Sequence, residues 1–296
     1  MLGVCRAHGC QDGGALKPQM ENRSILRRIA GVFKDALFPA RCLACKSFFQ
    51  HDFHQHGGLT AEGLQEGTVP DVERMMAPLL CTACSKGFVT VESPMCSVCG
   101  IMFKSREGND HICGECLASP KRFGMARSLG VYEQTLLKVI HRMKYDGKIQ
   151  AARPLGTLLF FALMRYWATC RIDLVLPVPL HAKKMKMRGF NQSFLLVRGW
   201  ESIAEALKVK VPHITVDRSI LVRKRWTEPQ TGLGRKKRLE NIKNAFGVYD
   251  STKIAGKRIL LVDDVYTTGA TVDECAKTLL NAGAQQVDVL TLAQAA

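Results

Sequence analysis

Acidic residues are scarce in this chain of 296 residues, and long apolar runs are absent. The 26 Asp and Glu stand against 42 Lys and Arg, which gives a formal net charge of +16. The longest apolar run, LGTLLFFALM at residues 155–164, lies between Arg153 and Arg165 and is too short to cross a bilayer. The beginning of the chain lacks the charged, apolar and small-residue segments of a secretory signal. We therefore expect a cytoplasmic protein, and its positive charge favours a polyanion such as nucleic acid, an anionic membrane or a phosphorylated ligand.

Disulfide bonds are also not expected, because cytoplasmic thiols stay mostly reduced. The sequence nevertheless has 12 cysteines, and eight of them form four CxxC units. Two such units make a tetrahedral Cys₄ zinc site, and the thirteen residues between the last two units are typical of a zinc ribbon. A thioredoxin-like redox motif is less consistent with four units in tandem outside a βαβ context. The units are Cys42/Cys45, Cys81/Cys84, Cys96/Cys99 and Cys113/Cys116.

These units predict one or two structural zinc ions. We favour sequential sites, one from the first two units and one from the last two, with an interleaved arrangement as the alternative. About 35 residues, including HDFHQH, separate the first two units and leave the first site less defined. His51, His54 and His56 could replace a cysteine ligand there, although the pattern favours a solvated loop. Cys170 and Cys275 lie in apolar helical segments and are expected to be core thiols.

Three regions follow from the pattern along the chain. Residues 1–35 show no apolar period and are predicted to be a loose leader, and residues 36–124 form the Cys-rich module. In residues 125–296 strands alternate with helices, an order that implies right-handed crossovers in an α/β sheet. The predicted strands are residues 128–132, 173–179, 219–223, 257–264 and 286–293, and the predicted helices are residues 133–145, 155–167, 190–207 and 270–283.

Two adjacent carboxylates, Asp263 and Asp264, end an apolar strand within LLVDDVYTTGAT, residues 260–271. Neighbouring carboxylates in a buried strand repel each other and lose hydration, which is unfavourable unless a ligand needs them. Ligands of open parallel sheets bind beyond the carboxyl ends of the strands, where this pair lies. The alternative, a strand end followed by an N-cap threonine, gives the pair no purpose. An ordinary P-loop is disfavoured, because the chain has no GxxxxGK[ST] segment.

The segment after the two acids has the composition of a phosphate-binding turn. Small residues at the start of a helix present backbone N–H groups and the positive end of the helix dipole. Gly269 allows a positive φ there, and the threonines add hydroxyl donors. Two carboxylates beside such a turn fit a ribose 5-phosphate whose 2′ and 3′ hydroxyls each donate to one acid. The candidate phosphate contacts are Val265, Tyr266, Thr267, Thr268, Gly269, Ala270 and Thr271.

The segment VDDVYTTGAT resembles the signature of type I phosphoribosyltransferases, which bind 5-phosphoribosyl 1-pyrophosphate (PRPP) and a divalent metal. LPVPLH…RGFNQS, IHRMKYDGK and the long segment at residues 225–246 further resemble the ComF family of competence-associated phosphoribosyltransferase-like proteins. Cysteine pairs also stand ahead of the fold in that family. The resemblance covers roughly residue 42 to the C-terminus. It implies a type I phosphoribosyltransferase-like parallel sheet flanked by helices and preceded by a small Cys-rich zinc-ribbon module.

The resemblance also implies roles for individual residues. Asp263 and Asp264, the catalytic candidates, would hold the ribose hydroxyls directly or through Mg²⁺. The implied reaction displaces pyrophosphate at C1 of the ribose, with catalysis by positioning and by the metal neutralising the leaving group. No residue that selects a nucleobase is evident, and His181 and Glu228 are weak candidates for a general base. The pyrophosphate candidates are Leu180, His181 and Arg188, and the candidates for a mobile closing loop include Arg225, Gln230 and Arg238.

Much of the positive charge lies near this predicted site. Between residues 181 and 244 the chain has 16 Lys and Arg against 5 acidic residues. The segments RKRW and GRKKR are dense enough to bind a nucleic-acid backbone, and Trp226 could stack on an unpaired base. A pocket for PRPP would need positive charge as well, so both interpretations stay open. The nucleic-acid candidates are Arg223, Lys224, Arg225, Trp226, Lys236 and Lys237.

Several functions are consistent with the sequence. The leading hypothesis is a ComF-type protein that binds PRPP with Mg²⁺ and single-stranded DNA, and that acts in DNA uptake during natural transformation. An orphan nucleobase phosphoribosyltransferase of salvage metabolism and a catalytically inactive DNA-handling accessory protein are the alternatives. A purely structural zinc protein would leave the two aspartates unexplained. The resemblance also implies other competence proteins as partners, including a DNA-translocating ATPase, which would place the protein at the inner face of the membrane.

Overall fold

Four parallel strands form the central sheet of the computed structural model, which describes residues 39–49, 72–207, 214–227 and 240–295. Two shorter antiparallel pairs lie outside this sheet. In chain order the strands and α-helices are β1 (Ala40–Arg41), β2 (Phe48–Phe49), α1 (Val72–Met76), α2 (Thr82–Lys86), α3 (Gly114–Ala118), β3 (Ala126–Val131), α4 (Gln134–Tyr145), α5 (Ala152–Trp167), β4 (Leu174–Pro177), α6 (Ala182–Arg188), α7 (Gln192–Val197), α8 (Trp200–Ala206), β5 (Leu221–Arg223), β6 (Phe246–Val248), β7 (Arg258–Tyr266), α9 (Ala270–Asn281) and β8 (Gln286–Gln294).

The central sheet has the strand order β3–β8–β7–β4. β7 and β8 lie in the middle, and their near-continuous apolar sequences are buried on both faces, as is usual for parallel strands. Leu260 and Val262 belong to the apolar cluster that contains α5, whereas Ile259 and Leu261 belong to the cluster that contains α9. Helices therefore cover both faces of the sheet, and the predicted α/β class is confirmed.

Strand β7 extends further than the sequence predicts. The predicted strand ends at Asp264, but Val265 and Tyr266 continue the ladder by pairing with Ala293 and Gln294 of β8. The two acids therefore lie inside the strand, near its carboxyl end. The connection to α9 begins only after Tyr266.

The helix predicted at residues 190–207 is wrong as a single element. It is divided into α7 and α8, because Arg198 closes the first helix and Gly199, with φ −101°, is the N-cap of the second. The apolar spacing hides this break, since Trp200 still faces the core and its indole N–H donates to the Gly156 carbonyl at 2.9 Å.

The short strand predicted at residues 219–223 is present as β5, and it pairs antiparallel with β6 outside the central sheet. One further prediction needs correction in the described residues. Cys170 is exposed in the turn after α5 and is not a core thiol, whereas Cys275 is buried in α9 as predicted. None of the described helices combines the length and the apolar character required to cross a bilayer.

Candidate functional site

The eight cysteines of the CxxC units form two clusters. Within each cluster the four sulfur atoms lie within 4.8 Å of one another. The Sγ atoms of Cys45 and Cys81 are 3.8 Å apart, and so are those of Cys99 and Cys113. Zinc with tetrahedral Zn–S bonds of about 2.3 Å holds its sulfurs about 3.8 Å apart, so both clusters fit this metal. The first cluster is Cys42, Cys45, Cys81 and Cys84, and the second cluster is Cys96, Cys99, Cys113 and Cys116, which confirms the sequential pairing.

One thiol in each cluster is held toward the ligating thiolate form. Hydrogen bonds with the side chain and backbone of Ser47 lower the pKa of Cys45 to about 6. Burial raises the pKa of Cys96, but backbone N–H groups, including those of Cys113 and Cys99, lower it to about 6. These two N–H groups lie 3.3 and 3.4 Å from Cys96 Sγ. Because the thiolate is the metal ligand, the chemistry of these donors also suits a zinc ion.

The second cluster is built into the central sheet. The Val98 carbonyl accepts a hydrogen bond from the Ala126 N–H of β3 at 2.7 Å. The Cys99 carbonyl accepts another from Gln294 Nε2, at the end of β8, at 3.0 Å. Tyr266 packs in the same apolar cluster as Cys99, and burial followed by the nearby thiols raises the pKa of its hydroxyl. A metal in the second cluster would therefore support the end of β7.

Asp263 and Asp264 line a cavity of about 380 Å³ at the carboxyl ends of β7 and β4. The hydroxyl of Thr268 is not in the cavity wall and accepts a hydrogen bond from the Ala270 N–H at 3.4 Å. The structure thus brings together the two acids and most of the predicted phosphate contacts. The predicted phosphate contacts that line the cavity are Val265, Tyr266, Thr267, Gly269, Ala270 and Thr271.

Asp263 is buried beside a second carboxylate. Its Oδ1 accepts hydrogen bonds from Ser193 Oγ and from the Asp264 N–H, both at 2.9 Å. Burial, and then the charge of Asp264, raise the pKa of Asp263 to about 7. In the free protein the site therefore holds its full negative charge only above neutral pH, and a cation or a hydrogen-bond donor would stabilise that charge.

Lys144 supplies such a cation from α4. Its Nζ lies 2.7 Å from Asp264 Oδ2, and the two side chains are 16% and 6% exposed. Burial lowers the pKa of Lys144, but the charge of Asp264 and their hydrogen bond raise it overall. No site role was predicted for Lys144. A signal was present, because this lysine follows Ile140 by one helical turn and so continues the buried stripe of α4.

The turn into α9 has the geometry expected of a phosphate-binding turn. Gly269 has φ +74° and is the N-cap of α9. A Cβ at this position would overlap the hydroxyl group of Tyr266, so both the conformation and the space require glycine. Ala270, Thr271 and Val272, the first residues of the helix, line the cavity and direct its N-terminal end toward it.

The loop after β4 forms another wall. Leu180 and Arg188 line the cavity, as predicted for pyrophosphate contacts, and their role stays a prediction. Asn191 fixes this loop, because its Nδ2 donates to the Val178 carbonyl at 3.0 Å while its Oδ1 caps α7. His181 is not in the wall. Its Nδ1 accepts from the Lys183 N–H at 3.2 Å as the cap of α6.

Four cationic side chains line the same cavity: Lys144, Lys184, Arg188 and Arg223. Burial, and then the charges of Arg223 and Arg188, lower the pKa of Lys184. Burial also lowers the pKa of Arg223. The guanidinium of Arg188 donates to Gln192 Oε1 at 2.6 Å, so this partner leaves its charge unneutralised. These crowded cations would be stabilised by a multiply charged anion.

The predicted nucleic-acid residues are dispersed. Arg223 faces the cavity, whereas the exposed Arg225 donates from Nη2 to the Asn241 and Lys243 carbonyls at 2.7 Å each. Lys224 is exposed. Trp226 is half-buried, with Lys183 Nζ 4.9 Å from its ring centroid. Several residues with predicted roles lie outside the part of the chain that the structure describes. They are His51, His54, His56, Glu228, Gln230, Lys236, Lys237 and Arg238.

An aromatic part of the cavity wall was also not predicted. Tyr132, His141 and Tyr145 line it, and Ser193 contacts Asp263 from α7. For Ser193 the motif RGFNQS was a signal. For His141 and Tyr145 the segment IHRMKYDGK was a signal, because it contains both residues one helical turn apart on α4.

Comparison with known proteins agrees with this architecture. A family model described as Phosphoribosyl transferase domain matches residues 202–296. Competence protein F of Haemophilus influenzae is 31% identical over 220 residues, which cover 73% of this chain and 90% of that protein. DNA utilization protein YhgH of Escherichia coli (strain K12) is also 31% identical, over 72% of this chain and 89% of that protein. Competence protein ComFC of Streptococcus pneumoniae is 27% identical, with coverage of 72% and 86%.

Solved structures with some similarity include two enzymes. Glutamine phosphoribosylpyrophosphate amidotransferase from B. subtilis has 22% sequence identity and a TM-score of 0.30, over 48% of this chain and 26% of that chain. A hypoxanthine phosphoribosyltransferase from Staphylococcus aureus has 19% identity and a TM-score of 0.26, over 50% of this chain and 64% of that chain. This chain thus spans about a quarter of the amidotransferase. Relatives that are about one third identical align with this chain over most of their own length and over most of the chain. The chain therefore belongs to the ComF family and has a phosphoribosyltransferase-like fold.

Proposed function

We propose that this protein binds PRPP together with Mg²⁺ in the cavity and acts as a phosphoribosyltransferase-like protein of DNA uptake. The observation that carries this proposal is the pair of buried carboxylates facing four cationic side chains in one cavity. A ligand with a neutral diol between two anionic groups fits that distribution of charge. The names of the relatives, which refer to competence and DNA utilization, support the cellular role.

Each part of the ligand has a matching part of the cavity. Asp263 and Asp264 would accept hydrogen bonds from the vicinal ribose hydroxyls. The 5-phosphate would lie against the turn at residues 267–272, where Gly269 permits close approach and α9 offers its N-terminal N–H groups. The pyrophosphate would lie near Lys184 and Arg188. This orientation places the carboxylates beside C1, where they would stabilise the positive charge that develops as pyrophosphate leaves.

Magnesium fits the same residues. Carboxylate oxygens and phosphate oxygens are the ligands that Mg²⁺ prefers, and when bound the ion would neutralise the leaving pyrophosphate. The chain itself holds the two carboxylates in place through Ser193 and Lys144. The groups that receive the ligand are therefore largely preformed.

Calorimetry with PRPP and Mg²⁺ tests this proposal. The double substitution Asp263→Asn and Asp264→Asn should weaken PRPP binding about a hundredfold, or ~2.7 kcal/mol. A neutral amide oxygen accepts hydrogen bonds from the ribose hydroxyls less strongly than a carboxylate does, and it is a weaker ligand for Mg²⁺. Glu201→Gln with Glu205→Gln is the matched control, since it also removes two negative charges but from exposed positions on α8. Equal affinity of the wild type and the Asp263/Asp264 variant would refute the proposal.

Single-stranded DNA is the second ligand that we propose. Trp226 lies beside Lys183 and Lys184, whose Nζ atoms are 4.9 and 5.9 Å from its ring centroid, so stacking and charge occur together. Lys183→Gln with Lys224→Gln should make the negative slope of log affinity against log salt concentration less steep by roughly 1.4. Trp226→Ala should weaken DNA binding without changing this slope. Lys104→Gln with Lys253→Gln, at exposed positions elsewhere, is the control. An affinity that does not respond to salt would contradict this second proposal.

Turnover separates the remaining functional alternatives. Release of pyrophosphate from PRPP with a free nucleobase would indicate salvage, and release only with DNA would indicate a reaction on DNA. Binding of PRPP without any product across both acceptor classes would favour an accessory protein that lacks catalysis.

A further inference from the structure

Another cavity, of about 330 Å³, lies between α5 and the two helices α7 and α8. It shares no wall residue with the cavity of the two acids. Gly199, at the break between α7 and α8, lines it, and so does Gly156 of α5. A Cβ on Gly156 would overlap the Leu196 carbonyl, so α5 and α7 are in close contact here. We call this space the helix cavity.

The wall of the helix cavity combines apolar side chains with a few polar groups. Leu195, Ile203 and Leu207 are among its apolar residues, and Ser202 adds a hydroxyl at an exposed position. Cavities of this size with mostly apolar walls and a small number of placed polar groups are typical sites for small organic ligands.

The charge of this wall is positive. Arg153, in the first turn of α5, and Arg198, at the end of α7, both line the helix cavity with exposed side chains. Neither arginine forms an ion pair with any residue that the structure describes. The described wall contains no acidic residue, because Glu201 and Glu205 of α8 lie outside it. An arginine pair of this kind is complementary to a carboxylate or a similar anionic group.

One side of the helix cavity is continuous with the packing around Lys144. Leu195, in its wall, belongs to one small apolar cluster with the fully buried Met143 of α4. Met143 directly precedes Lys144, whose Nζ contacts Asp264 at 2.7 Å. A ligand against Leu195 would therefore press on the segment of α4 that supplies the cation of the acid pair.

Helix α7 connects the helix cavity to the other acid. Ser193, in the first turn of α7, donates to Asp263 at 2.9 Å, while Leu195 and Leu196 of the same helix line the helix cavity. Both side chains that hold the acid pair thus belong to segments that pack at this cavity.

We propose that the helix cavity binds a small organic anion with an apolar body, held by Arg153 and Arg198, and that this anion is an effector of the acid pair. The binding of the anion stands on its own, whereas the effector role rests on the proposed function. A ligand that fills the cavity would hold α7 against α5 and Ser193 against Asp263. Less order would then have to be gained when PRPP binds, so PRPP should bind more tightly. By linkage, PRPP should raise the affinity for the anion by the same factor.

Calorimetry of the full chain with octanoate tests the anion site, with octanol and octylammonium as ligands that have the same tail but no negative charge. Octanoate should bind at least about tenfold more tightly than either. Arg153→Gln with Arg198→Gln should weaken octanoate binding about tenfold. Ser202→Trp should also weaken it, because the indole takes up space in the cavity without changing its charge. Lys104→Gln with Lys253→Gln is the matched control, since it removes two positive charges from exposed positions outside the cavity.

Calorimetry with PRPP and Mg²⁺ at saturating octanoate tests the effector role. PRPP should bind about fivefold more tightly to the wild type, and octanoate should not change its affinity for the arginine variant. Octanoate binding that is equal in the wild type and the arginine variant, or absent from the wild type, overturns the anion site. Octanoate binding that depends on the arginines but leaves PRPP affinity unchanged supports the anion site and overturns the effector role. A wild type that does not bind PRPP refutes the proposed function and the effector role together, while the octanoate results still decide the anion site.

Discussion

Serine in place of Cys96 and Cys99 should abolish PRPP binding, whereas serine in place of Cys42 and Cys45 should leave most of that binding intact at low temperature. Each double substitution is expected to lower the zinc content from two ions per chain to one. The difference in ligand binding follows from where the two clusters are attached to the fold.

The second cluster supports the floor of the cavity. The Val98 carbonyl accepts a hydrogen bond from the first residue of β3, and the Cys99 carbonyl accepts one from Gln294 at the carboxyl end of β8, next to the cavity. Tyr266, which belongs to the same apolar cluster as Cys96 and Cys99, occupies the space beside Gly269 in which a Cβ would otherwise lie. Without metal, four neighbouring thiols would have no partner that organises them, and the loops that carry these contacts would lose their structure. The turn before α9, which is the proposed site of the 5-phosphate, would then lose its support.

The first cluster is attached to a different part of the fold. Cys42 packs with Met76 and Leu80 in the apolar cluster that contains α5. The Cys84 carbonyl accepts a hydrogen bond from Thr135 Oγ1, in the first turn of α4, at 2.8 Å. Loss of the metal from the first cluster should therefore lower the free energy of unfolding, while the strand ends and the turn before α9 remain in place.

Elemental analysis, thermal unfolding and PRPP calorimetry on both variants check this prediction. Structural zinc contributes ~10–16 kcal/mol in small zinc domains, which is comparable to the whole stability of a typical domain. The variant lacking Cys96 and Cys99 is therefore expected to lose part of its cooperative unfolding transition as well. PRPP affinity that is preserved in this variant, with only one zinc remaining, would show that the cavity does not depend on the second cluster.

The parts of the fold that local sequence determines could be predicted. The apolar residues of β7 and α9 have clear strand and helix periods, and the acids near the end of β7, the small residues after them and Gly269 lie in one continuous segment. The spacing of the last two CxxC units similarly indicates the second cluster. In each case one short stretch of chain contains both the structural signal and the chemical groups.

The features that depend on contacts between distant segments could not be predicted. Lys144 and Asp264 are separated by 120 positions, and no local pattern indicates that α4 places its last turn against β7. The break between α7 and α8 leaves the apolar spacing intact, so periodicity could not reveal it. The presence of Tyr132, His141 and Tyr145 in the cavity wall depends on the packing of α4 beside the strand ends, which the periodicity of α4 does not fix.

Methionine in place of Lys144 should lower the free energy of unfolding by about 3 kcal/mol at pH 8, because removing one partner leaves a buried charge uncompensated. Methionine keeps most of the volume of the lysine side chain, so loss of packing should contribute little. Lys138→Met, at an exposed position on the same helix, is the control and should change stability by less than about 0.5 kcal/mol. Chemical denaturation of both variants measures the difference.

The loss should depend on pH in a defined direction. Burial raises the pKa of Asp263 from the ordinary value of an aspartate to about 7, so the stability that it contributes is present at low pH and declines as pH rises through 7. Without Lys144, the two acids would hold a proton more strongly, and the decline with pH should be steeper. Near pH 5, where a proton can reside on the pair, the difference between Lys144→Met and wild type should shrink. A difference that is the same at pH 5 and pH 8 would show that packing, not charge, accounts for it.

A second substitution and a metal ion should each compensate for the missing lysine. Asp264→Asn in the Lys144→Met background should recover much of the stability, because one buried carboxylate remains and Ser193 still donates to it. Mg²⁺ should likewise raise the Tm of Lys144→Met more than that of the wild type, because it binds the native site in which the two carboxylates have lost their cation. Such a result would mean that Lys144 occupies, in the free protein, the electrostatic position that the metal takes with the ligand. An equal response of both proteins to Mg²⁺ would show that the ion binds elsewhere and that Lys144 has only a structural role.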